Sequence, residues 1–199
     1  LDAAVDVLIR RDSNAATRVV ANDDAIDLLE DEISQDILKL LALRQPMARD
    51  LREVYAALKI SADIERIGDY ASNVAKRSIV LNNSTAIPAA QRIARLAKTA
   101  NQILSDALKA YADSDAELAM KVRDADAELD SQYTSYFREL LTYTMEDPRT
   151  IGPCTHLLFM AKNIERTGDH ATNIAENTYF VVHGELPKGE RKKDDHTSE

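Results

Sequence analysis

The residues best suited to chemistry in this chain are carboxylates set in pairs. Asp23 and Asp27, Glu65 and Asp69, Asp126 and Asp130, and Glu165 and Asp169 each stand four residues apart. On an α-helix that spacing puts both acids on one face, one turn apart. Like charges so placed destabilise a helix by about 0.2–0.5 kcal/mol per pair, so something should offset them. Clustered oxygen donors suit hard cations such as Mg, Mn or Fe. A single such pair in an acidic helix is ordinarily a solvated face. Four pairs in matched places point further.

The turns that position these pairs lie at Arg44-Gln45-Pro46 and at Asp147-Pro148. Proline disfavours helical geometry in the residue before it and fits a first turn. In each half of the chain one pair lies about 20 residues before the turn and the other about 20 after it. In an antiparallel hairpin, equal distance from the turn is equal height, at about 1.5 Å rise per residue. Each hairpin is therefore expected to bring four carboxylates level. Four close carboxylates cannot all stay ionised without cations; otherwise one or more takes up a proton.

The elements are helical. Ile26, Leu29, Ile33, Ile37, Leu40 and Leu41, and again Leu51, Val54, Tyr55, Leu58, Ile64 and Ile67, follow the apolar stripe of amphipathic helices. Helices are expected near 1–11, 13–44, 46–81, 89–112, 114–146 and 150–183. Arg11-Asp12-Ser13-Asn14 is a capping cluster, and Ser114 with Glu117 forms a capping box. Asn82 to Pro88 is rich in breakers, and His183-Gly184 closes the last long segment. The polar stretch from Pro187 is expected to be disordered.

The chain also repeats itself. Asp63-Ile64-Glu65-Arg66-Ile67-Gly68-Asp69-Tyr70-Ala71-Ser72-Asn73 matches Asn163-Ile164-Glu165-Arg166-Thr167-Gly168-Asp169-His170-Ala171-Thr172-Asn173, and Asp23 to Asp27 matches Asp126 to Asp130. The expected fold is all-α: two tandem, pseudo-symmetric three-helix bundles at 1–85 and 86–186, with a polar tail at 187–199. Carried back by the repeat, the first helix begins before Leu1. It is expected to lack roughly its first 14 residues.

Composition excludes several alternatives. Of 199 residues, 45% are hydrophobic and only 5% aromatic, with five Gly, five Pro and no Trp. The frequent turns of a sheet protein are missing. A net charge of −9 opposes a nucleic-acid surface. Cys154 is the only cysteine, so there is no internal disulfide or Cys zinc site, and a buried small residue is its expected role. No apolar run reaches the roughly 20 residues of a membrane span. Phosphate loops, GxSxG and HExxH are absent. Glu65-Arg66-Ile67-Gly68 and Glu165-Arg166-Thr167-Gly168 break the Glu-x-x-His spacing of a di-iron oxidase. Within the repeated block, Arg66 and Arg166 are expected to bridge neighbouring acids. Gly68 and Gly168 should serve close helix packing, with room for a metal cluster as the alternative. Asn73 and Asn173 are expected to be hydrogen-bonding residues, with outer metal ligands as the alternative, and His170 is a weaker ligand candidate because its counterpart is Tyr70.

Gln45-Pro46-Met47-Ala48-Arg49-Asp50-Leu51-Arg52 and the doubled Glu-Arg-x-Gly-Asp block resemble the PhoU family. The similarity spans the chain except the polar tail. It implies a cytoplasmic negative regulator of the phosphate-starvation response, not an enzyme. Such a protein links the ATPase of a phosphate ABC transporter to a sensor histidine kinase and stays peripheral to the membrane through protein contacts. The resemblance also implies bound metal ions (Fe, Mn, Mg or Zn) on Asp23, Asp27, Glu65, Asp69, Asp126, Asp130, Glu165 and Asp169. A homodimer is the expected assembly, and nucleic acid is not an expected partner. A carboxylate-bridged metalloenzyme and a purely structural bundle are the alternatives.

Overall fold

The computed structural model describes residues 1–84, 86–189 and 191. Among these there are seven α-helices and no strand. They are α1 (Asp2–Arg10), α2 (Ser13–Ala21), α3 (Asp23–Arg44), α4 (Ala48–Leu81), α5 (Ala90–Asp113), α6 (Ala116–Glu146) and α7 (Ile151–His183). A single 3-10 turn, Pro148–Thr150, joins α6 to α7. No helix is long and apolar enough to cross a membrane among the described residues. Apart from 187–189 and 191, the expected disordered tail lies outside the described residues.

The repeat is visible in backbone detail. Arg11 and Ser114 both take the left-handed conformation, with φ 56° and 51°. The next residue of each copy caps the following helix. Asp12 accepts from the Ala15 backbone N–H and Asp115 from that of Leu118, both at 2.9 Å. The expected Ser114–Glu117 capping box is therefore corrected. Ser114 closes α5, and the Asp115 side chain one position on satisfies one of the orphan donors of α6. The expected single helix over 13–44 is corrected too. It is broken at Asn22 into α2 and α3. The equivalent position in α6 is Ala125, inside a continuous helix; Asn is a poorer helix former than Ala. The helix expected from residue 46 begins at Ala48, because Gln45 turns left-handed and Met47 is extended.

The long helices α4 and α7 form the centre and run antiparallel. Arg52 reaches Val181, Asp63 reaches His170, and Arg77 reaches His156. On each side the remaining helices pack to complete a three-helix unit: α1 with α2–α3 and α4, and α5 with α6 and α7. The core is built from small and branched residues, among them Val74, Ala75, Ile93, Leu129, Leu157, Met160, Ile164 and Ile174. The two units differ in cover. The 24-residue α5 buries seven side chains against its neighbours. In α3, only Ile37 of 22 residues is buried, and Leu28, Leu38 and Leu43 are exposed.

Candidate metal centre

Each hairpin presents its two acid pairs to one another across a glycine. A Cβ at Gly168 on α7 would stand 2.5 Å from Leu129 Cδ2 and 2.6 Å from Asp126 Oδ1 on α6. At Gly68 on α4 it would stand 2.9 Å from Ile26 Cδ1 and 3.3 Å from Asp23 Oδ1 on α3. The glycines thus serve close helix packing, as expected. They let the paired helices approach, and the space they leave is taken by the first acid of the facing pair.

Electrostatics shows the rest of each group together. Burial raises the Glu165 carboxyl; the Lys162 ammonium, 2.9 Å from Oε1, opposes this, and Asp169 and Asp130 raise it further. In the first hairpin, partial desolvation raises Asp27, with Asp23 and then Asp69 adding to the shift. Desolvation likewise raises Glu65, against the pull of Arg66 and with the push of Asp69 and Asp27. Acids of the facing helices therefore interact across each hairpin, Asp27 with Glu65 and Asp69 in the first and Asp130 with Glu165 in the second, and the four acids of each hairpin form a carboxylate quartet.

The two quartets are not equivalent. Asp126, Asp130 and Glu165 are buried, with Asp169 half-buried; in the first quartet Asp27 is exposed and the other three half-buried. Arg66 supplies the first quartet with a local cation, 3.1 Å from Asp69 and 3.4 Å from Glu65. Its counterpart Arg166 is exposed and makes no ion pair among the described residues. So the arginine expectation holds in one copy only. Lys162 takes the corresponding role at Glu165.

As donors, these residues fit a hard cation. All are carboxylates, and Glu165 Oε2 is buried with no hydrogen-bond partner, a state that a cation or a proton relieves. Among the described residues, no three acid, His or Cys side chains are already gathered into one coordination shell. Loading would require side-chain rotation within the quartet. The acids that would hold the ion are Asp126, Asp130, Glu165 and Asp169 in one hairpin, and Asp23, Asp27, Glu65 and Asp69 in the other.

His170 is engaged elsewhere. Its Nδ1 lies 2.7 Å from Asp63 Oδ1 and its Nε2 3.2 Å from Tyr70 Oη. Asn173 also donates to Asp63 Oδ1. Tyr70 and His170 are equivalent positions of the repeat and meet where α4 and α7 cross. This pin between the bundles was not legible in the sequence beyond the pairing of the two positions. Asn173 is hydrogen-bonded as expected, whereas Asn73 is exposed. Cys154 is buried and free. Beside the pin a groove of about 990 Å³ runs between the bundles, lined by Asp27, Glu65, Asp63, His170, Tyr55 and Phe180 among others.

The PhoU domain model matches the chain over residues 1–78 and 93–178. A phosphate-specific transport system accessory protein PhoU homolog of Xylella fastidiosa (strain 9a5c) is 58% identical, covering 100% of this chain and 84% of that protein. The crystal structure of PhoU from Pseudomonas aeruginosa superposes with a TM-score of 0.88 at 39% identity, covering 92% of this chain and 88% of that one. That of the phosphate transport system regulatory protein PhoU from Streptococcus pneumoniae gives 0.84 at 28% identity, covering 93% and 87%.

Proposed function

This chain belongs to the PhoU family, and from that premise we propose that it is a cytoplasmic, non-enzymatic negative regulator of phosphate uptake and of the phosphate-starvation response. Its relatives are named as accessory or regulatory proteins of a phosphate transport system. The partners we assign are the transporter's ATPase subunit and a phosphate-sensing histidine kinase. The protein acts by binding, as a homodimer, at the inner membrane face.

The observation that carries the mechanism is the pair of carboxylate quartets. Bound metal would supply positive charge, turning each strongly negative patch neutral or positive. The chain's own contribution is positional. The glycines admit Asp23 and Asp126 to the helix contact, the caps at Asp12 and Asp115 fix where the second helices start, and the α4–α7 pin holds the two hairpins to one another. Occupancy of the quartets would thus alter the surface offered to a partner. The test is capture of the kinase's cytoplasmic region and of the ATPase by the wild type and by Asp69→Asn/Asp169→Asn, with and without chelator. Binding by the wild type that weakens with chelator, and in the variant, is expected. Binding to neither partner under any condition would end the adaptor reading; equal binding under all would remove the metal switch.

A further inference from the structure

The chain continues past α7 and folds back on it. Gly184 is left-handed, with φ 79°, a conformation glycine adopts without strain. Leu186 then lines the rim of the groove between the bundles, 59% exposed. At Gly189 the backbone has reached α6, where Arg123 Nη2 donates to its carbonyl. Arg191 ends the run on α7. Its Nε and Nη2 donate to Glu176 Oε1 and Oε2, each at 3.0 Å, and Nη2 also donates to Asn173 Oδ1. Glu176 Oε1 also accepts from Arg123 Nε at 3.0 Å. A forked guanidinium–carboxylate pair is among the stronger and more specific polar contacts a surface can make.

The position matters as much as the contact. Asn173 lies one turn beyond Asp169 on α7, and Arg123 lies one turn before Asp126 on α6. The strap therefore sets a fixed positive charge beside the buried quartet. We propose that residues 184–189 together with Arg191 form a strap whose Arg191 is a built-in counter-cation for the second quartet, competing with metal there. The competition half rests on the metal reading above; docking of the strap does not. The field at Arg191 agrees with this: Glu176 holds the guanidinium further toward its charged form, outweighing burial, and Asp169 and Asp126 add to it. By linkage, each cation weakens the other's hold by the same factor. Each quartet has one cation from its own helix, Arg66 in the first and Lys162 in the second; the strap adds a further cation at the second alone, so the two sites should load unequally.

The experiment uses the full chain and Mn²⁺ as probe. Trypsin cleavage after Lys188 and Arg191 is followed by mass spectrometry in the metal-free wild type, in Glu176→Gln and in Arg191→Lys, both of which keep the cleavage sites. Cleavage faster by at least about fivefold in both variants is expected; equal rates overturn the strap whatever metal does. Arg191→Lys cannot disturb the bundles, so it decides the matter if Glu176→Gln folds poorly. Mn²⁺ titration by calorimetry then compares wild type with Arg191→Ala. Affinity of one site higher by at least about fivefold in the variant is expected. Binding unchanged by the substitution overturns the competition while leaving the metal reading intact. No Mn²⁺ binding to either protein overturns the metal reading, and the competition with it, but not the docked strap.

Discussion

Replacing Gly168 by Ala tests the packing that builds the second quartet, because two effects of opposite sign compete there. Alanine in a helix interior is favoured over glycine by about 1 kcal/mol. Against this, the new methyl would sit 2.5 Å from Leu129 Cδ2 and 2.6 Å from Asp126 Oδ1, where ordinary contact is about 3.5–4.0 Å. Leu129 is 0% and Asp126 2% exposed, so neither can swing into solvent, and overpacking of this kind costs about 1–3 kcal/mol. The clash should win, leaving Gly168→Ala less stable by up to about 2 kcal/mol, or up to about 8 °C in melting temperature for a chain of this size. Gly68→Ala is the internal control. Its nearest neighbours, Ile26 Cδ1 at 2.9 Å and Asp23 Oδ1 at 3.3 Å, belong to half-buried side chains that can move. The helix preference should nearly cancel the strain, with stability within about 0.5 kcal/mol of wild type. Urea and thermal unfolding followed by circular dichroism measure both. A Gly168→Ala protein as stable as wild type, or a larger loss at Gly68, would refute the reasoning.

Two further outcomes follow from the pin and the strap. His170→Ala removes one of the two partners of a partly buried Asp63, leaving Asn173, and should cost about 1–3 kcal/mol, while Tyr70→Phe, losing one hydroxyl contact, should cost about 0.5–1.5 kcal/mol; a reversed order in unfolding experiments would count against the pin. For Glu176, burial raises the carboxyl, but Arg191 and Arg123 together outweigh it, so the net shift is downward. A carboxyl lowered on folding contributes stability that is full above its ordinary value of 4.5 and is lost as pH falls through the folded value. Glu176→Gln should therefore flatten the acid limb of the stability–pH curve below that point, and a variant with the wild-type slope would show that the arginines do not hold this group.

Much of this arrangement was legible because its rules are local. The i, i+4 acids, the Pro turns and the doubled Glu-Arg-x-Gly-Asp block place eight carboxylates on two hairpins by period and symmetry alone. Identical spacing does not carry identical burial, however. Asp27 is exposed and Asp130 buried, and no property of the acids themselves encodes that. The break at Asn22 was missed because Asn is tolerated in helices and the apolar stripe runs on through Ile26. The Asp63–His170–Tyr70 contact spans about 100 residues of chain, and only the crossing of α4 and α7 creates it. Arg191 stands in a stretch whose composition signals no core. Its role comes from two acceptors, Glu176 and Asn173, one helical turn apart on α7.

The metal content of protein purified without a metal-affinity column bears most directly on the quartets. Wild type and Asp69→Asn/Asp169→Asn are incubated with Mn²⁺, dialysed and measured by inductively coupled plasma mass spectrometry. Retained metal in the wild type, substantially reduced in the variant while its fold by circular dichroism is unchanged, is the predicted result. Equal metal in both proteins, or none in either, would contradict the assignment of the eight carboxylates as metal ligands.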